Sequence, residues 1–266
     1  HNVFPKQLVH NIISTVKIMK QPIKAYFRPY YFALRKLFSR QLTFTEFAYF
    51  RTVYFSQFGE DAFIDLFFYG KKRGFYVDVG AHHPKRFSNT FIFYSKGWKG
   101  INIDAMPGSM KAFNKQRPRD KTLEIPIAKE QKNLTYFQFN EPALNGFCEE
   151  LAVSRDGSSS AYKIISKQNI EAYPLSVILD QHLDPAQSID FLSVDVEGLD
   201  LEVLQSNDWL KFRPKVVLAE ILDSSLDTIQ NDAVYQFLTA HNYHLYAKAV
   251  NTVFFISDKF LSERMM

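Results

Sequence analysis

From residue 74 onward, short apolar runs alternate with segments of helical periodicity. We expect strands at 74–80, 100–104, 123–128, 190–198 and 215–221. Helices are expected between them at 89–96, 109–115, 199–205 and 231–241. Strands that alternate with helices are typical of a parallel sheet covered by helices. The pattern therefore predicts an α/β fold with a mostly parallel sheet.

Two stretches depart from this alternation. Residues 134–139 alternate like an exposed strand, 154–160 have the composition of a loop, and 161–166 resemble a further strand. Loops on a rigid scaffold often carry specificity, so this insertion is a candidate region for binding the substrate, or acceptor, of the protein. Residues 243–249 and 252–257 are expected to form a closing hairpin.

The first 50 residues form a separate basic, aromatic-rich part. Leu8, Ile12, Val16 and Met19 recur at helical spacing, and a second basic stretch follows at 30–40. Residues 1–51 carry a net charge of +8, whereas the remainder carries −4. We therefore expect a helical N-terminal arm at 1–50 and a main α/β domain, called the body below, at 51–266.

Three roles are open for this arm. The first is packing of the arm on the body or on a second copy of the chain. The second is peripheral contact of the arm with an anionic membrane surface. Nucleic-acid binding is less favoured because no recognition motif accompanies the charge. The single cysteine, Cys148, fits a reducing compartment, so we expect a cytoplasmic protein that can lie at the inner face of a membrane.

The segment VDVGAHHP at 77–84 is the first motif with chemical content. A strand ends near Asp78, and Gly80 permits a tight turn at the carboxyl end of the sheet, where ligands bind. The dinucleotide fingerprint needs three glycines, and only Gly80 is present. S-adenosylmethionine, which has no phosphate, fits this turn better than NAD does. His83 is a candidate general base, or it hydrogen-bonds backbone in the turn; the neighbouring His82 is less favoured.

Acidic residues end the later strands. Asp104 lies 24 residues after Gly80, a spacing suited to a carboxylate that accepts hydrogen bonds from ribose, although it could instead cap a helix. Asp195 and Glu197 project to the same side of a strand end, and Glu220 could join them. Three roles are open for these carboxylates. They could deprotonate an acceptor hydroxyl, hold a divalent metal, or cap the following helix. The sequence does not choose between a base and a metal.

The order of these motifs resembles the FkbM family of S-adenosylmethionine-dependent methyltransferases. The resemblance covers about 54–257 and rests on SQFGED, VDVGAHHP, SNT, GWKGINIDAMP and DFLSVDVEGLDLEVL, in this order. It implies a Rossmann-like class I methyltransferase fold with a seven-stranded sheet. It also implies O-methylation of a sugar, glycan or related natural product.

The resemblance assigns roles to single residues. Asp78, Gly80 and Ala81 would line the methionine end of the cofactor, Asp104 would bind the ribose, and Ala105 and Met106 would lie near the adenine. Ser56, Gln57 and Glu60 would lie on the lid side, Asn89 at the floor, and Asp195 and Glu197 would face the methyl group. The alternatives are a nicotinamide-dependent oxidoreductase on a similar fold and a non-catalytic binding module that works through its basic arm.

Overall fold

The computed structural model describes residues 53–141, 144–157, 161–196 and 198–265. Their strands are β1 Phe75–Val79, β2 Lys99–Ile103, β3 Lys121–Leu123, β4 Lys132–Phe139, β5 Ile164–Ala172, β6 Phe191–Val194, β7 Val216–Glu220, β8 Tyr243–Ala249 and β9 Thr252–Ser257. Their α-helices are α1 Glu60–Phe67, α2 Phe91–Ser95, α3 Met110–Gln116, α4 Glu149–Arg155, α5 Leu175–His182, α6 Asp200–Gln205, α7 Ala233–Ala240 and α8 Asp258–Met265. A 3₁₀ turn covers Ile229–Asn231.

Seven strands form one sheet in the order β3-β2-β1-β6-β7-β9-β8. The pairs from β3 to β7 are parallel, and β9 runs antiparallel to both of its neighbours. All four residues of β6 are buried, as expected for strands covered on both faces. The predicted closing hairpin at β8 and β9 is confirmed.

Alternation along the strands divides the core into two layers. Val77, Leu192 and Val217 belong to one apolar cluster, which also takes in residues of α5, α6 and α7. Tyr76 and Phe191 belong to the other cluster, together with residues of α1 and α2. Successive side chains of a strand point to opposite faces, so the two clusters lie on opposite sides of the sheet. The predicted Rossmann-like fold, a mostly parallel seven-stranded sheet with helices on both faces, is confirmed.

The prediction of a third strand at 123–128 was wrong in position. The strand β3 covers Lys121–Leu123, where it pairs with β2. Pro126 has no N–H to donate to a ladder, and beyond it Ile127 makes only an isolated bridge with Tyr173. The chain leaves the sheet here because a proline is excluded from a paired strand interior.

The insertion forms a second sheet of two antiparallel strands. Residues 132–139 of β4 pair with β5, which extends the strand predicted at 161–166 to Ala172. The helix α4 lies between the two strands in the chain and extends to Arg155, into the segment 154–160 that was predicted as a loop. Phe137, Phe139 and Ala152 form a small apolar cluster of their own.

Both tryptophans lie at the amino ends of the strands. Trp98 is 1% exposed, directly precedes β2, and donates its indole N–H to the Lys71 carbonyl oxygen at 3.2 Å. Trp209 packs against Phe237 and against Tyr243, the first residue of β8.

The basic arm predicted at 1–50 lies outside the described residues. Within the ranges that the structure does describe, no helix has the length and apolar character needed to cross a membrane.

Candidate active site

A cavity of about 350 Å³ lies where the parallel strands end. Gly80 follows β1, Asp104 follows β2, Asp195 follows β6 and Glu220 ends β7, and all four line the cavity. Its volume falls in the range of small-molecule sites. The structure thus brings together acids that are far apart in the sequence, as the position of strand ends in an open α/β sheet requires.

Gly80 joins the ends of β1 and β6. Its φ is +87°, and a Cβ at this position would lie 1.7 Å from the carbonyl oxygen of Asp195. The Asp195 amide donates to the Val79 carbonyl at 3.0 Å, which holds the two strand ends at this separation. The glycine is therefore needed for close approach of backbone to backbone.

Asp104 ties two turns together. One carboxylate oxygen accepts from the His82 amide at 2.8 Å, and the other accepts from the Met106 amide at 2.7 Å. Burial raises the pKa of this carboxyl, while the two backbone donors act in the opposite direction. Each oxygen keeps a second lone pair, so the residue can still accept from a ligand hydroxyl.

Asp78 and Ala81, predicted at the methionine end of the cofactor, are not among the residues that line the cavity. Asp78 is 5% exposed and accepts from the Thr90 hydroxyl at 2.8 Å. Burial raises the pKa of Asp78, whereas the Arg117 charge lowers it. Ala81 packs with Met110 and Phe113. The geometry favours a supporting role for both residues beneath the cavity, and direct contact with a cofactor stays a prediction.

Arg117 is the centre of a buried polar network below the same turn. Its side chain has no exposed surface, and its Nε donates to Asp120 Oδ2 at 2.8 Å. Its Nη2 donates to the Tyr76 hydroxyl at 2.7 Å and to Thr90 Oγ1 at 3.0 Å. The network links β1 to the segment before α2, and so fixes the base of the site.

The two histidines after Gly80 differ in position. His82 lines the cavity and has a φ of +47°, a left-handed conformation in which its amide is held by Asp104. His83 does not line the cavity; its Nδ1 accepts from the amides of Lys85 and Arg86 at 3.1 and 2.9 Å. Burial and neighbouring positive charge lower the pKa of His83. The geometry favours the turn-forming interpretation of His83, and its role as a base stays a prediction.

The lid side of the cavity comes from residues near α1. Glu60, 3% exposed, accepts from the Phe58 amide at 2.8 Å and from the Thr252 hydroxyl at 3.2 Å. Gln57 lines the cavity beside it, whereas Ser56 is buried and donates to Asp61 at 2.7 Å. Glu60 therefore helps to hold the lid side against β9.

At the floor, the Asn89 amide donates to the Ser193 hydroxyl at 3.1 Å, and Asn89 lines the cavity. Ala105 and Met106 line it next to Asp104. Nine residues to which the sequence analysis gave a role thus share this cavity: Gln57, Glu60, Gly80, Asn89, Asp104, Ala105, Met106, Asp195 and Glu220. Glu197 lies outside the described residues, so its role stays a prediction.

The sequence analysis missed the contribution of the two-stranded sheet. Tyr136 of β4 lines the cavity, as do Asn145 and Phe147 from the loop before α4. The alternation in 134–139 predicts a strand, but it does not indicate which part of the protein that strand packs against. Only the tertiary position of β4 reveals these residues.

Residues 78–245 match the family described as the Methyltransferase FkbM domain. The chain belongs to the FkbM methyltransferase family. It is therefore an S-adenosylmethionine-dependent methyltransferase, and the nicotinamide-dependent oxidoreductase is set aside. No curated protein matches the chain.

Two solved structures have a low similarity to this FkbM methyltransferase. A TehB-like SAM-dependent methyltransferase from Corynebacterium glutamicum is 9% identical with a TM-score of 0.36, over 88% of this chain and 100% of that chain. The precorrin-6y C5,15-methyltransferase from Geobacter metallireducens is 12% identical with a TM-score of 0.36, over 74% of this chain and 86% of that chain. Neither likeness bears on the acceptor.

The cavity of the FkbM methyltransferase suits S-adenosylmethionine chemically. Its charged groups among the described lining residues are the carboxylates of Glu60, Asp104, Asp195 and Glu220, which complement a sulfonium cation. Asp104 is placed for a ribose, after β2. Within the described ranges, no group of three or more His, Cys, Asp or Glu side chains could hold a metal ion.

Proposed function

We propose that this methyltransferase transfers a methyl group to a hydroxyl of a sugar, glycan or related natural product. The observation that supports it is the meeting of proton acceptors, His82, Asp195 and Glu220, in the cavity that also contains Asp104. An alcohol is a weak nucleophile at neutral pH, so a positioned base is required.

S-adenosylmethionine supplies an electrophilic methyl group on a sulfonium sulfur. In the proposed reaction Asp195 accepts the proton of the acceptor hydroxyl. The acceptor oxygen forms the new C–O bond as the S–C bond breaks, which leaves S-adenosylhomocysteine. The backbone of Asp195, fixed between Val79 and Gly80, holds the base in place, and such orientation is a large part of catalysis.

The lining also supports an uncharged acceptor. Carboxylates near the transferring methyl repel a phosphate or carboxylate on the acceptor, whereas neutral hydroxyls hydrogen-bond to them. Apolar rings at Phe58 and Phe87 also line the cavity. A neutral sugar combines hydroxyl edges with an apolar ring face and suits such a mixture.

The test follows methyl transfer from S-adenosylmethionine with a labelled methyl group to neutral methyl glycosides, sugar phosphates and amines. We expect label in O-methyl products of the neutral sugars. Asp195→Asn should lower kcat by about 10²- to 10⁴-fold at nearly unchanged affinity for S-adenosylhomocysteine. Asp227→Asn, an exposed carboxylate, is the control. Label only in amines, or full activity of Asp195→Asn, would contradict the proposal.

The two histidines give a matched pair for the same assay. His82→Ala should lower kcat with little change in Tm, because His82 lines the cavity. His83→Ala should lower Tm and should change kcat less than His82→Ala does, since the His83 ring accepts two backbone hydrogen bonds. The reverse result would make His83 the catalytic histidine. Both variants are compared at one pH near neutrality.

A further inference from the structure

The Tyr136 hydroxyl is a buried polar group whose hydrogen bonding is not satisfied by the described residues. Tyr136 is 2% exposed, and its hydroxyl makes no hydrogen bond of normal geometry within the described part of the chain. A buried hydroxyl left in this state is destabilising, and native structures rarely contain one. Because Tyr136 also lines the cavity, a ligand in the cavity is the natural partner of this hydroxyl.

The surroundings of Tyr136 show which half of the cavity it serves. Burial raises the pKa of the Tyr136 phenol, the charge of Asp104 raises it further, and the nearby Asn145 side chain acts in the opposite direction, so the group stays a neutral donor. Asn145 Nδ2 contacts Met106 Sδ at 3.4 Å, while Asn145 Oδ1 accepts from the Phe139 amide at 2.7 Å. The insertion thus meets the cavity at the Asp104–Met106 turn.

An aromatic surface accompanies the hydroxyl. The rings of Tyr136 and Phe147 pack with centroids 5.1 Å apart, and Phe147 also lines the cavity. Ile125 and Ile127 are further lining residues that follow β3. This part of the cavity therefore combines apolar surface with hydrogen-bonding groups, as a flat heterocycle that carries hydroxyls requires.

We propose that the Tyr136 hydroxyl hydrogen-bonds to the nucleoside half of the cofactor. The two-stranded sheet β4–β5, expected from the sequence to bind the acceptor, then forms a wall of the nucleoside site instead. Tyr136 becomes a binding residue that the sequence motifs do not contain. The inference rests on the proposed use of S-adenosylmethionine by this cavity.

Tyr136→Phe tests the proposal because it removes one oxygen and keeps the ring. Calorimetric titration with S-adenosylhomocysteine should show a Kd weaker by about 3- to 10-fold. Titration with 5′-methylthioadenosine, which has the nucleoside but no amino-acid end, should show the same ratio. Tyr246→Phe, an exposed tyrosine of β8, is the matched control and should bind like the wild type.

The melting temperature without ligand provides a second readout. Because the hydroxyl makes no hydrogen bond of normal geometry to the described residues, Tyr136→Phe should melt at the same temperature as the wild type or higher. A lower Tm would show that the hydroxyl supports the protein itself, and would overturn the inference. An unchanged Kd would overturn it as well, as would a loss with S-adenosylhomocysteine that is missing with 5′-methylthioadenosine. Failure of the wild type to bind S-adenosylhomocysteine would instead overturn the proposed function together with this inference.

Discussion

At the scale of single residues, Gly80 has two separate reasons to be a glycine. Its φ of +87° disfavours any L side chain, and a Cβ would collide with the Asp195 backbone at 1.7 Å. Gly97 shares the first reason, with φ +96°, but a Cβ there would meet nothing within 4 Å. Substitution of Gly97 therefore measures the cost of the left-handed backbone alone, whereas substitution of Gly80 adds the cost of the collision with Asp195.

We expect Gly97→Ala to cost about 1–2 kcal/mol of unfolding free energy, from the left-handed conformation alone. Gly80→Ala should cost more, because the ends of β1 and β6 must separate, and it should also lose affinity for S-adenosylhomocysteine. Urea unfolding and calorimetric titration of both variants measure the two effects. Equal losses of stability at the two positions would show that the contact with Asp195 is unimportant.

At the scale of elements, α6 and β7 meet through a buried acid. Asp200 begins α6, is 3% exposed, and accepts from the Glu220 amide at 3.2 Å. Burial, together with the charge of Glu220, raises the pKa of Asp200 from 3.8 to about 7. The folded protein therefore holds a proton on Asp200 at pH values where the unfolded chain has released it.

This difference makes stability depend on pH. Its contribution to stability is complete below pH 3.8 and is lost as the pH rises through about 7. Asp200→Asn keeps the acceptor oxygen but cannot ionise, so its Tm relative to the wild type should rise between about pH 4.5 and about pH 8. Thermal melts across this range measure the effect, with the exposed Asp227→Asn as control. A constant Tm difference would contradict the raised pKa.

Elements with strong local signals were predictable, and elements defined by tertiary contacts were not. The hairpin β8–β9 was placed correctly because 243–249 and 252–257 are apolar runs separated by a short turn. The third strand was misplaced because Leu123–Ala128 has an apolar pattern, whereas backbone pairing ends before Pro126. Likewise, the acids at strand ends could be inferred from spacing, but the contribution of Tyr136 could not, because it depends on where a separate sheet packs.

At the scale of the whole molecule, the charge is divided between the arm at 1–50 and the body. Membrane contact, one of the three open roles of the arm, predicts that the full chain binds vesicles of phosphatidylcholine and phosphatidylserine and loses binding as salt rises. Arg35→Glu with Lys36→Glu should abolish flotation with these vesicles. The control variant Lys72→Glu with Lys129→Glu makes the same change of net charge on the body, and it should still float with the vesicles. Equal flotation of both variants would argue against membrane contact by the arm.

The burial of both tryptophans at the amino ends of the strands has an optical consequence. The five-residue strand β2, which Trp98 directly precedes, places roughly 13 Å between this residue and the ligand-binding end of the sheet. Intrinsic tryptophan emission should therefore change on unfolding while hardly responding to S-adenosylhomocysteine. Tryptophan emission of the wild type therefore reports unfolding without interference from ligand binding. A Phe147→Trp variant would add a tryptophan inside the cavity that reports binding.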